Sequence, residues 1–234
     1  MTPVTRLFIG AIIAGGATVL GTGAPRDYAQ PALTLAFLVV MVGVSLLKLR
    51  LPLGLGQSTM SMAYVVDFTV LVTLGADVAM LIAAAGVLTQ CTINVRRPQP
   101  WYRAAFSVAS VVLSVQAAGW MWSVLGGASD STILASLMPL GAASVLYFGV
   151  NTGLIAVAVG LANGVAPLRF WQKNFVGTLP AYLLAAAIAS SLVMFRDAYV
   201  LLAVAIAPML LAHLGYGAWF RQIAARQSTA SVSV

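Results

Sequence analysis

Apolar residues in this chain come in long runs, separated by short breaks rich in glycine, proline and charge. A membrane-spanning helix needs about 20 mostly apolar residues, rising about 1.5 Å each. Eight runs approach that length. The first extends from Leu7 to Gly23 and closes at Pro25-Arg26-Asp27. The second extends from Pro31 to Leu47, followed by Lys48, Arg50 and a glycine-rich turn from Pro52 to Gly56. The third and fourth share the stretch from Gln57 to Ile93, interrupted at Gly75-Ala76-Asp77. Gln57 to Leu74 is 18 residues, roughly 27 Å as a helix, which just matches a hydrocarbon core. The spacing predicts a tight helical hairpin turning at Gly75 to Asp77, with one span plus a re-entrant piece as the alternative. Arg96-Arg97-Pro98-Gln99-Pro100 ends the fourth helix, because two prolines and two arginines cannot continue it into lipid. The fifth runs from Ala104 to Leu125, before the polar turn Gly126-Gly127-Ala128-Ser129-Asp130. The sixth runs from Ile133 to Gly160. A loop from Asn163 to Asn174 holds Pro167, Arg169, Trp171 and Lys173, with Trp171 expected at the membrane interface. The seventh runs from Phe175 to Phe195 and the eighth from Tyr199 to Phe220. Pro139, Pro180 and Pro208 fall within or near helix ends and predict local kinks.

Composition agrees with this pattern. The 234 residues are 61% hydrophobic and 7% charged, with mean hydropathy +1.00, too little charge to cover a soluble domain. The prediction is an all-α, polytopic membrane bundle of about eight transmembrane helices. Residues 1–226 form a single integral membrane domain, and 227–234 a short disordered tail in the cytoplasm. The first segment lacks the small-residue cleavage pattern of a signal peptide.

Charge orients the bundle. With eight spans, Arg6, Lys48, Arg50, Arg96, Arg97, Arg103, Arg169, Lys173, Arg221 and Arg226 share one side, ten basic residues with no acid. Arg26, Asp27, Asp77, Asp130, Arg196 and Asp197 share the other, two basic residues with four acids. The positive-inside rule then puts both termini in the cytoplasm, in a bacterial inner membrane. Merging the third and fourth spans would spoil the asymmetry. The net charge of +7 is therefore a topology signal rather than a nucleic-acid footprint, since the basic residues are scattered between apolar runs.

The stretch Tyr147-Phe148-Gly149-Val150-Asn151-Thr152-Gly153 lies mid-span. Gly149 and Gly153 are four apart, and such a pair lets another helix approach closely, so both are predicted to pack against a helix. Asn151 needs a partner inside the protein, because hydrocarbon offers none. It is either helix-bonding glue or part of one wall of a ligand cavity. Asp67 is the only acid well inside a span, where a charge costs about 2.5–3.5 kcal/mol on insertion scales. It is either a neutral acid bonded to a backbone group or hydroxyl, with Thr69 and Thr73 as partners, or a ligand-binding or proton-linked group. Gln116 and Trp120 are four apart on the fifth helix and share a face. Trp120, Trp122 and Tyr182 each read as an interface anchor or a ligand platform. The ligand-site candidates are thus Asp67, Asn151, Tyr147, Gln116 and Trp120, and Asp67 and Asn151 are expected to face a shared interior.

Other chemistry is thin. The single cysteine, Cys91, excludes an internal disulfide and reads as a small packing residue. The single histidine, His213, reads as packing rather than as an axial ligand for haem or chlorophyll. No helix pairs two carboxylates, and no metal motif or phosphate loop is present, so the chain reads as non-enzymatic, with no metal and no cofactor named by its residues.

The order of several short motifs resembles a known family. Ser61 to Gly75 ends in Leu-Gly, and an Arg-Arg-Pro loop precedes Ala104-Ala105-Phe106-Ser107. Val124-Leu125-Gly126-Gly127, Tyr147 to Thr152, the Trp171 loop and Leu179-Pro180-Ala181-Tyr182-Leu183 follow in turn. This resembles the multi-pass membrane-associated sensor domains that precede GGDEF or HD-GYP output domains in bacterial cyclic-di-GMP signalling proteins. The resemblance covers roughly Gln57 to Phe220 and nominates Asn151, Gly149 and Tyr147. It implies a last helix leading into a cytoplasmic enzyme, whereas this chain stops soon after Arg226. The expectation is an isolated input module, or a stand-alone relative acting through a partner.

The first functional reading is a membrane sensor or binding module for a small hydrophobic or amphipathic ligand. Its partners would be the lipid bilayer and a second protein or a second copy, with no nucleic acid. A substrate-binding subunit of a vitamin-like transporter, and a structural accessory subunit of a larger membrane complex, remain the alternatives.

Overall fold

The computed structural model describes residues 2–46, 49–51, 58–60, 63–93, 100–127 and 133–192. Helix α1 spans Pro3–Gly23 and starts four residues earlier than the apolar run. Thr2 caps it, its hydroxyl oxygen accepting from the Thr5 N–H at 3.2 Å, and Pro3 occupies the first turn, where a missing N–H is harmless. Helix α2 spans Pro31–Leu46. Strands β1, Leu49–Leu51, and β2, Ser58–Met60, then pair antiparallel, with Arg50 opposite Thr59.

That ladder corrects the third element. Residues 58–60 are extended, and helix α3 starts only at Ala63, running to Leu74. The β-branched Thr59 favours extended backbone over the start of a helix. The 12 residues of α3 reach about 18 Å, short of a hydrocarbon core. The hairpin itself is present. Helix α4, Ala76–Thr92, follows Gly75, whose φ of 89° is a left-handed conformation that glycine adopts without strain. Ala63, Tyr64 and Asp67 of α3 share one cavity with Ala83, Val87, Gln90 and Cys91 of α4, so the two helices run antiparallel.

Helix α5 spans Trp101–Val124 and α6 spans Ile133–Asn163, with Pro139 inside it. The expected loop after α6 is instead largely helical. Helix α7, Pro167–Asn174, has Pro167 in its first turn and Lys173 in its last, both placements that helix ends favour. A 3-10 turn, Val176–Thr178, leads into helix α8, Leu179–Leu192. Pro180 lies in the first turn of α8, so it does not interrupt a formed helix.

Among the described residues, four runs are long and apolar enough to cross a membrane: Pro3–Gly23, Trp101–Val124, Ser136–Asn163 and Pro167–Ser191. The last counts across the 3-10 turn, whereas α8 alone has 14 residues. Helices α2, α3 and α4 are apolar but shorter. The expected eighth span, the tail, Pro208, His213, Arg96, Arg97 and Asp130 lie outside the described residues.

Helix α3 is the centre of the bundle. Every residue from Tyr64 to Leu71 is buried, and α3 packs against α2, α4 and α8. Helix α5 packs against α1, α4 and α6, and α6 also packs against α7 and α8. Phe37, Met41, Phe68, Met80, Ile82, Val112 and Leu140 fill the interior. Lipid is as apolar as these side chains, so hydrophobic burial drives helices together weakly, and close contact matters more. Small residues supply it. A Cβ at Gly16 would lie 2.5 Å from that of Ala109, one at Gly86 would meet Met41, and one at Gly119 would overlap Ala76. Leu35, Val39, Met138 and Leu184 point outward, as lipid contact requires.

Candidate functional site

Helix periodicity gathers the site. Tyr64, Asp67 and Phe68 lie three and four apart, so they share one face of α3. Tyr147 with Asn151, and Phe148 with Thr152, form two neighbouring stripes on α6 by the same spacing. Tyr182 is the fourth residue of α8.

Asp67 is 4% exposed, and the Tyr147 hydroxyl donates to its Oδ2 at 2.9 Å. Aromatic rings surround this bond. Tyr64 and Tyr182 stack with ring centroids 4.4 Å apart and planes 20° from parallel. Tyr147 lies 5.3 Å from Phe68 and 5.9 Å from Tyr182, and Phe148 meets Tyr182 edge-on at 5.2 Å. Such pairs add about 0.5–1.5 kcal/mol each beyond burial, so the cluster holds α3, α6 and α8 in register.

A cavity of about 280 Å³ lies beside the cluster, lined by Tyr64, Asp67, Tyr147, Asn151, Thr152 and Tyr182, with Met41, Ser107, Val111, Ile155, Phe175 and Thr178 among the other walls. Two polar atoms of residues in this lining, Asp67 Oδ1 and the Tyr64 hydroxyl, are buried and have no hydrogen-bond partner among the described residues. Most buried polar atoms are paired, so two unpaired ones in a single lining mark a place where a donor or acceptor is expected.

The expected shared interior of Asp67 and Asn151 is therefore present, and Tyr147 joins it. Its bonding differs from expectation. Asp67 bonds to Tyr147, whereas Thr69 and Thr73 turn back onto their own helix, bonding the carbonyls of Val65 and Thr69 at 2.7 Å each. A threonine hydroxyl four residues along a helix reaches its own backbone more easily than a neighbouring carboxylate.

Gln116 and Trp120 do not join the site. Gln116 donates from Nε2 to Asp77 Oδ1 at 2.9 Å, at the far end of α4, and Trp120 is 60% exposed, pointing outward. Sharing a face of α5 placed them together but away from α3. The packing expected at Gly149 and Gly153 is also corrected. No described atom lies within 4 Å of a Cβ built at either, and Gly149 is exposed on an open groove with Met121, Val145 and Leu146. Tyr147 and Phe148 turn α6 inward on the adjacent stripes, which leaves Gly149 facing out and Gly153 half-buried with no close neighbour.

Tyr64 and Phe148 are missed by sequence reasoning, because aromatic residues in an apolar run carry no sign of which way they face. Their three- and four-residue spacing from Asp67 and Thr152 was the available signal. Trp171 is not simply an interface anchor. Its Nε1–H donates to Thr152 Oγ1 at 2.7 Å, and its ring lies 5.7 Å from Phe148, so α7 is tied to the cavity wall. Cys91 lines the cavity as well. Among the described residues, no three His, Cys, Asp or Glu side chains gather as a metal site needs. No family model, curated protein or solved structure matches the chain.

Proposed function

We propose that this chain is a membrane sensor or binding module that holds a small amphipathic molecule in the Asp67–Tyr147–Tyr182 cavity and acts through a partner. One observation carries the reading: a buried carboxylate and a buried hydroxyl, both short of partners, line a cavity walled by aromatic rings. A chain that needed Asp67 only for packing would gain by pairing both of its oxygens or by replacing it with an apolar residue. The resemblance to membrane-associated sensor domains supports the sensor role. Native mass spectrometry from mild detergent tests it. The wild type should release with a bound small molecule, and Asp67→Asn should fold but lose it. Identical spectra for the two would remove the proposal.

The proposed setting is a bacterial inner membrane, crossed about eight times with both termini inside. Its support is the ten-to-two division of basic residues along the sequence. Further support comes from the parallel course of α1 and α5, with Phe8 beside Phe106 and Gly23 near Gln116 and Asp77, which is compatible with Arg6 and Arg103 sharing one side and Asp77 the other. A Gln99→Cys thiol should label from the cytoplasm and a Ser129→Cys thiol from the periplasm, each in a Cys91→Ser background. Labelling of both from one side would overturn the topology.

A further inference from the structure

We infer that the molecule held in the cavity is a small organic cation, whose ammonium group pairs with Asp67 while its apolar part lies against the tyrosine rings. This rests on the reading of the cavity as a ligand site.

The chemistry of the walls selects the class. Among the described lining residues, Asp67 is the only carboxylate, and there is no lysine or arginine. Tyr147 satisfies Oδ2, while Oδ1 has no partner among the described residues. A buried carboxylate in this state is best relieved by a donor, and most by a charged one, because charge-assisted hydrogen bonds are roughly twice as strong as neutral ones. The aromatic walls point the same way. Tyrosine ring faces are electron-rich and attract ammonium groups. Three tyrosines line this cavity, with Tyr64 stacked on Tyr182 and Tyr147 beside both.

An anion fits less well. Arg103, Arg169 and Lys173 lie at the same end of the bundle, but none lines the cavity, so an anion entering it would leave those charges behind and meet Asp67. Size sets a limit too. At about 280 Å³, the cavity falls just below the usual range of ~300–1,000 Å³ for small-molecule pockets, so a compact amine fits better than an extended one.

The test titrates the intact protein in nonionic detergent with three probes of one shape: phenethylamine, phenethyl alcohol and phenylacetate. Binding is read by isothermal calorimetry against detergent blanks. Phenethylamine should bind most tightly. Asp67→Asn should weaken it by about thirtyfold or more, the usual loss when one partner of a buried charge pair is removed. Tyr182→Leu should weaken the amine by roughly fivefold, while barely changing the alcohol. Asp77→Asn, an acid outside the cavity, should change nothing. The comparison of probes on the wild type needs no variant to fold. Equal binding of alcohol and amine, or tighter binding of phenylacetate, would overturn the cation and leave the binding module standing. Failure of all three probes would also overturn the cation, and the binding module falls with it only if native mass spectrometry finds no retained molecule.

Discussion

The two ends of the bundle solve the packing of small and large residues in opposite ways. At the end holding the α3–α4 turn, Gly119 meets Ala76, Gly23 approaches Met80, and Asp77 takes a hydrogen bond from Gln116 at 2.9 Å. At the other end, Asp67 takes a bond of the same length from Tyr147, but bulky tyrosines surround that bond beside a cavity. Equal hydrogen-bond lengths thus accompany unequal surroundings. Asp77 is exposed in the first turn of α4, where the helix dipole favours its charge and water solvates it. Asp67 has neither advantage. A structural acid is placed where it costs little, and an acid retained where it costs much marks a candidate site.

The contrast can be broken in four places. Gly119→Val should be the most damaging, because its side chain must enter space held by Ala76. A loss of about 1–3 kcal/mol is expected from overpacking, read as a lowered thermal transition in detergent. An unchanged transition would mean that the α4–α5 contact is loose. Tyr147→Phe comes next. It keeps the ring but leaves Asp67 without its partner, so about 1–2 kcal/mol should be lost. Adding Asp67→Asn should then cost less than it does alone, since the two share one interaction. Strict additivity would show that they act independently. Smallest of all should be Asp77→Asn and Gly149→Leu, each below about 1 kcal/mol, because one removes an exposed charge and the other adds a side chain to open space. A large loss from Gly149→Leu would place a helix contact at that face after all.

Those expectations also show which features could be read from the chain. Glycine and charge at Gly75-Ala76-Asp77 announced the hairpin, because few other residues adopt the turn conformation. Asp67 stood out because ionisable groups in apolar runs are rare, and its burial follows from the burial of α3 around it. Rotation about the helix axis was not legible. Gly149 and Tyr147 are two residues apart and so face different ways, and nothing local decides which faces the core. The structure turns Tyr147 in and Gly149 out, reversing the role expected of the glycine pair. Gln116 failed for a related reason: its partner Asp77 lies 39 residues away in sequence, on another helix. The extended pairing at residues 58–60 was not legible because those residues carry no hydrophobic alternation of their own.

Accessibility of the cavity is the point on which everything else depends, and Cys91 offers a direct way to measure it. It is the sole cysteine of the chain and lines the cavity, as does Ser107 on α5. A small, water-soluble methanethiosulfonate should modify Cys91 in the folded protein, and Ser107→Trp, which fills the cavity, should slow that reaction sharply without lowering the thermal transition. A rate unchanged by Ser107→Trp, or a thiol that reacts only after unfolding, would contradict an open cavity beside Asp67.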